Sequence, residues 1–170
     1  MTETVEASHA GAAVTLAYRL VKKKWTHSAF DGEGAKRYGG RWNSRGRPCV
    51  YLASSESLVL LEVMMHIENY RVLEHYTLLE LHLPKRAILT LSPDALPENW
   101  REDPAPMETA AVGDAWLVSG ASLALAVPSA IVPREHNFLI NPMHKDFSAF
   151  VATARELSFS PDPRLLDHNP

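Results

Sequence analysis

The chain has 170 residues, 46% hydrophobic and 22% charged, with a formal charge of -3, which suits one domain able to bury a sizeable core. The near-neutral balance argues against direct nucleic-acid binding, and the single cysteine excludes an intrachain disulfide framework. No apolar run reaches the ~20 residues of a membrane span, and the N-terminus lacks a basic stretch followed by an apolar core, so the expected compartment is the cytoplasm.

Met1 to Ala13 is small and polar without periodicity and is expected to fray, leaving 14–170 as a single domain. Val14 to Val21 suits a first strand that carries Arg19 near its end. Trp25 to Tyr38 is punctuated by Ser28, Asp31, Gly32 and Gly34 and reads as an exposed loop, a plausible lid. Gly39-Gly40 permits close backbone approach. Arg41, Trp42 and Asn43 follow, and the chain returns in the strand-like run Cys49-Val50-Tyr51-Leu52-Ala53, for which a hairpin is the simplest reading.

Ser54 or Ser55 can cap the next helix, with Glu56 complementing its dipole. His75 to Leu83 alternates as a strand, and Arg86 to Leu91 follows the break at Pro84 as another. Ser92 to Pro106 is proline-rich and irregular. Met107 to Ser119 fits a helix that turns Val112, Ala115, Trp116 and Ser119 inward and stops at Gly120. Leu123 to Val127, Ala130 to Val132, Phe138 to Ile140 and Leu157 to Phe159 read as short strands, with a short helix over Phe147 to Ala154. Consecutive strands outnumber helices, which predicts an α+β fold rather than a doubly wound sheet.

The helix after Ser55 is apolar on every side, the pattern of a helix packed inside the protein, and Glu62 breaks it. An unpaired buried carboxylate costs several kcal/mol, so it needs a partner, a raised pKa or a job. At helical spacing it shares a stripe with Leu58, Leu61, Met65 and His66, which we take as the floor of a cleft. A glutamate paired with an arginine for structure alone is the plainer alternative.

Other chemistries lack their signatures. The eight histidines include no His-Glu-x-x-His pattern or tight pair with cysteine, so no metal site is expected. Cys49 sits in an apolar run and is expected to be inert. The glycine pair matches no phosphate-loop fingerprint. What remains is Arg19, Arg41, Tyr51, Glu62, Ser129 and Asn141 at strand or helix ends. Two guanidinium forks can clamp a diphosphate, a tyrosine can stack on a flat ring, and a glutamate can bind ribose and offset growing positive charge on a sugar. Singly, each of the others has a simpler reading: Arg19 and Arg41 as surface charges, Tyr51 as core, Ser129 as a turn after Pro128.

Gly39-Gly40-Arg41-Trp42-Asn43, Val50-Tyr51-Leu52-Ala53-Ser54, Leu61-Glu62 with His66, Val127-Pro128-Ser129 and Asn137 to Pro142 together resemble the RES domain, a family named for arginine, glutamate and serine. The segment Phe159 to Leu165 is similar to that family's ending, and the resemblance covers nearly everything after about Leu16. It implies an ADP-ribosyltransferase-like domain with two small, mostly antiparallel sheets around a cleft, flanked by helices. It also implies a toxin whose partner is an antitoxin with an Xre-like helix-turn-helix domain, a homo-oligomer within their complex being compatible.

On this resemblance NAD is the substrate rather than a prosthetic group, and its nicotinamide glycosidic bond is cleaved by water or phosphate. Arg19 and Arg41 would hold phosphates or ribose, Tyr51 would stack near nicotinamide, and Glu62 would stabilise the ribosyl cation. Ser129 would hydrogen-bond in the cleft with support from Asn141. Leu60 stands where a Glu-x-Glu pair would need its first acid, which favours a small acceptor. A protein ADP-ribosyltransferase and a catalytically silent partner-binding domain are the alternatives.

Overall fold

The computed structural model describes residues 13–168. Its elements are β1 Val14–Lys22, α1 Glu33–Tyr38, β2 Val50–Ala53, α2 Glu56–Met64, β3 Tyr76–Pro84, β4 Ile88–Thr90 and α3 Met107–Ser119. There follow β5 Ala124–Pro128, β6 His136–Ile140, α4 Phe147–Val151, β7 Arg155–Leu157 and α5 Pro163–Leu166. The α+β expectation holds. The fraying expected of residues 1–12 lies outside the described residues, whereas Ala13 is pinned, its carbonyl accepting from Lys85 N at 3.0 Å. Among the described residues no helix is long and apolar enough to cross a membrane.

The expected two sheets are one, a seven-stranded sheet in the order β4-β5-β6-β2-β1-β3-β7. Every pair is antiparallel except β4 with β5. What remains of the two-sheet plan that the resemblance implies lies in the middle. β1 is zipped to β3 from Val14↔Pro84 to Lys22↔Tyr76, and β2 to β6 along its whole length, yet β1 meets β2 only at Tyr18↔Ala53. Two well-bonded blocks thus share a narrow seam. β1 and β2 are antiparallel neighbours, as the expected hairpin requires, but α1 lies in their connection and they pair only at Tyr18↔Ala53, because the main partner of each strand lies on its far side.

Strand alternation divides the core between the two faces of the sheet. Ala17, Leu79, Leu81, Leu83, Ala126, Phe138 and Ile140 pack with Ala29 and Phe150 of α4. On the opposite face Tyr18, Leu20, Ala53 and Leu78 receive Leu58 and Val59 of α2, while Leu125, Val127 and Leu139 receive Trp42 and Trp116. Burying side chains of this size contributes roughly 1.5–3 kcal/mol each, which seats both helices firmly.

Ser55 caps α2, its hydroxyl accepting from Leu58 N at 3.1 Å. The helix is less enclosed than its composition suggests: only Leu58 and Val59 are buried, and Leu61 and Met65 are 39% and 68% exposed. An all-apolar sequence cannot say which side meets the sheet. α3 has its expected bounds, but Thr109, Gly113 and Trp116 face inward, whereas Ala115 and Ser119 are exposed. The segment Trp25 to Tyr38 contains α1 and most of a 3-10 turn over Lys23–Ser28, so it is largely helical and not an irregular loop. Ala130 to Val132 is a turn, and the last strand is β7, two residues earlier than expected.

Candidate active site

The sequence-predicted residues gather into small groups, each built by a different part of the fold. Glu62 lies on the last turns of α2, and Ser129 directly follows β5. The Ser129 hydroxyl donates to Glu62 Oε1 at 3.1 Å. Ser129 is fully buried, and its oxygen also accepts from Ile131 N and Val132 N, both at 3.1 Å. With donor and acceptor capacity both engaged, the hydroxyl is locked in one orientation. It aims the carboxylate and has no donor left for a ligand.

Glu62 is half-buried and, among the described residues, forms no ion pair with a Lys, Arg or His side chain. The structural arginine pairing considered as the plainer reading is therefore not made. The one buried carboxylate among the described residues, Glu80 in β3, does have a cation, accepting from Arg155 at 2.8 Å.

Arg19 and Tyr51 meet at the seam. Alternation puts Arg19 with Ala17 and Val21 on the face away from α2, but its guanidinium turns between the strands to donate from Nη1 to the Tyr51 carbonyl at 2.8 Å. Nε is shielded from solvent and has no partner among the described residues, a donor held ready for an acceptor that the fold does not supply. Burial lowers the pKa of this guanidinium, with Asp31 acting in the opposite sense; it stays cationic at neutral pH.

Tyr51 turns to the α3 side, where its hydroxyl donates to Asn43 Oδ1 at 2.7 Å and accepts from Trp42 N at 3.1 Å. Burial pushes its phenol well above the ordinary tyrosine value. Arg41, two residues before Asn43, spends Nη1 on the carbonyls of Trp100 and Glu102 at 2.7 and 2.8 Å, so it ties the proline-rich segment to the glycine turn. Asn141 lies just past β6: Nδ2 donates to Leu117 O at 3.2 Å, and Oδ1 accepts from Met143 N at 3.0 Å. Both its polar ends are engaged inside the fold.

Tyr18, Ala53, Asn137 and Val127 stand in one row across β1, β2, β6 and β5. Arg19 adjoins one end of that row and Ser129 lies just past the other, so at ~4.8 Å per strand these two residues sit on backbone segments roughly 14 Å apart, while Glu62 comes from α2 above the sheet. The Arg19 guanidinium and the Glu62 carboxylate form no hydrogen bond with each other. Two shallow hollows of about 190 and 140 Å³ mark the surface, the first lined by Leu20, Val59, Leu60 and Phe159, the second by Arg47, Leu117 and Asn141. Neither is lined by Arg19, Tyr51 or Glu62. Neither hollow is the cleft expected beside Glu62.

Three residues escaped the sequence reading of the site. Asn43 was visible only as part of a motif, yet it is 1% exposed and holds three carbonyls. Asp114 accepts from Ser44 N at 3.0 Å, and nothing in the sequence marks it. Gly113 packs its α-carbon on the Trp42 carbonyl, so a side chain there has no room. A glycine inside a helical pattern was the available signal. Burial drives the Cys49 thiol up to about 12, which agrees with an inert core residue. Among the described residues, no group of three His, Cys, Asp or Glu is placed to hold a metal ion.

Comparison with known proteins agrees with this architecture. The RES domain matches residues 16–162. "Toxin Res" of Yersinia enterocolitica is 45% identical over 148 residues, covering 87% of this chain and 97% of that protein. "Prs ADP-ribosylating toxin" of a Sphingobium species is 35% identical, covering 88% of this chain and 95% of that one. In structure, a chain of the M. tuberculosis MbcT-MbcA toxin-antitoxin complex superposes with a TM-score of 0.66 over 86% of this chain and 83% of its own, at 22% identity. The sequence motifs, the α+β sheet and these relatives converge: the chain belongs to the RES domain family.

Proposed function

We propose that this protein is the toxin of a bacterial toxin–antitoxin pair and that it depletes NAD by cleaving the nicotinamide N-glycosidic bond. The observation that carries the reading is Glu62, a half-buried carboxylate with no cation of its own, aimed by a fully buried serine. Relatives that carry the name of toxin support the biological role.

The chemistry asks little of the protein. Nicotinamide in NAD is already cationic, so the bond to the ribose C1′ breaks with its electron pair going to the ring nitrogen, and no acid must protonate the leaving group. Positive charge grows on the ribose, where a fixed carboxylate in poor contact with water is worth several kcal/mol. An oxygen of water or phosphate then bonds to C1′ and gives up its proton to solvent. In this scheme Glu62 stabilises the cation, Ser129 aims Glu62, and Tyr51 offers a ring to stack on. Arg19 presents its spare donor to a phosphate or ribose oxygen, and Arg41 and Asn141 hold the walls. The partner is a helix-turn-helix antitoxin of the Xre-like type.

The direct test is incubation of antitoxin-free protein with NAD, followed by chromatography with and without phosphate. Free nicotinamide is expected, with ADP-ribose or its phosphorylated counterpart telling hydrolysis from phosphorolysis. Glu62→Gln should lower turnover at least about 100-fold with an unchanged circular dichroism spectrum. A wild type that releases no nicotinamide, or a Glu62→Gln variant that still does, refutes the assignment. A second reading, transfer of ADP-ribose to a protein, is favoured by the name of the Sphingobium relative. It is told apart by label from NAD appearing on a macromolecule.

A further inference from the structure

The turn Gly39 to Arg47 is organised around one amide group. Asn43 Nδ2 donates to the carbonyls of Ala35, Ser44 and Arg47 at 2.9, 3.2 and 3.1 Å, while Oδ1 accepts the Tyr51 phenol proton at 2.7 Å. Three carbonyls surround the nitrogen, which fixes which end is oxygen. The Tyr51 hydroxyl in turn accepts from Trp42 N. Its proton is therefore committed inside the fold, and what Tyr51 has to offer a ligand is its ring. Gly40 makes the arrangement fit: an added Cβ there would lie 2.7 Å from the Tyr51 hydroxyl and 2.9 Å from Asn43 Oδ1.

We infer that Asn43 is a positioning residue of the site, one that sets the plane of the Tyr51 ring and the course of the turn carrying Arg41 through a single side chain. The inference rests on the NAD reading above and deepens it. No other residue type fits the role as well. Aspartate would set an oxygen against three carbonyls, and leucine would leave those carbonyls and a phenol buried without partners. Because the Trp42 amide hangs on the same hydroxyl, a slack Tyr51 and a slack turn arrive together.

The test compares Tyr51→Phe, Asn43→Ala and the double variant in NAD cleavage, with hydrogen exchange of the Trp42 amide as a second readout. Both single changes cut the same link, so each should raise KM by roughly 3- to 10-fold with kcat within about twofold, and the double variant should be no worse than Asn43→Ala alone. Trp42 amide protection should fall in all three. A purely structural Asn43 would lower Tm and leave KM where it was, and that result overturns the inference. So do additive effects in the double variant. If Asn43→Ala does not fold, Tyr51→Phe decides: a raised KM with lost Trp42 protection upholds the inference, and either one unchanged overturns it. Wild-type protein that yields no nicotinamide brings down the NAD reading and this inference with it, whereas active wild type with indifferent variants brings down the inference alone.

Discussion

Gly113→Ala sets two effects of opposite sign against each other. Alanine in the middle of a helix should gain about 1 kcal/mol over glycine from propensity alone. In this protein the new Cβ would overlap the Trp42 carbonyl oxygen and lie 2.7 Å from its carbon and 3.2 Å from the Trp42 Cβ. The obstacle is main chain held by Asn43, Asp114 and Tyr51, so it cannot swing aside as a flexible side chain would. Overpacking of a rigid contact costs about 1–3 kcal/mol and sometimes more. Since this contact is backbone on both sides, we take the upper end, which leaves a net loss of about 2 kcal/mol. For a chain of this size that is a fall in Tm of roughly 4–8 °C. Thermal unfolding by circular dichroism measures it, with Gly34→Ala in α1 as the control, because a Cβ at Gly34 meets nothing within 4 Å. The control should hold or gain stability. A Gly113→Ala variant as stable as the parent would refute the claim that α3 is seated on the Trp42 carbonyl.

Three further outcomes follow from the geometry. Ser129→Ala leaves the Ile131 and Val132 amides without their acceptor and frees Glu62, so chemical denaturation should show a loss of about 2–3 kcal/mol, with NAD cleavage reduced by at least about tenfold in the folded fraction. Arg41→Ala removes the two carbonyl contacts that tie down Trp100 to Glu102, and limited proteolysis should open that segment first while global stability falls by only about 1 kcal/mol. The Cys49 thiol, raised by burial from 9.0 to about 12, binds its proton more tightly folded than unfolded. Its contribution to stability is therefore intact below pH 9.0 and is lost as pH rises toward 12. Urea titrations from pH 8 to pH 10.5 should show wild type losing up to about 1.4 kcal/mol per pH unit more than Cys49→Ala above the unfolded thiol's pKa; parallel curves would exclude the effect.

Much of this fold could be read from local pattern. The Ser55 cap, the bounds of α3 and the strands around Tyr51 and Leu81 all announce themselves through residues close in the chain. What stayed hidden depends on residues far apart. That the strands join in one sheet was not legible, because the thin contact Tyr18↔Ala53 leaves no trace in either strand's composition. α2 reads as enclosed because leucine and methionine do not record that Leu61 and Met65 face outward. At the site, Glu62 stood out as a charge among apolar neighbours, and its link to Ser129 spans 67 residues. Arg41 and Asn141 were legible as polar groups at element ends, but it is the long-range fold that occupies them with carbonyls and an amide. Asn43 was invisible as a keystone because its four partners are brought together from α1, the turn and β2 only when the chain folds.

A plate of seven strands should resist bending everywhere, yet this one has a crease down its middle. Where two ladders share a single rung, flexing has one pair to break instead of many, and hydrogen exchange should be fastest there among the central strands. The guanidinium of Arg19 straddles that crease on its bond to the Tyr51 carbonyl. A phosphate that lured it away would loosen the crease, and an opened crease would free it to reach outward. Were Arg19 to take a phosphate as proposed, capture of the anion and widening of the sheet would become one coordinate.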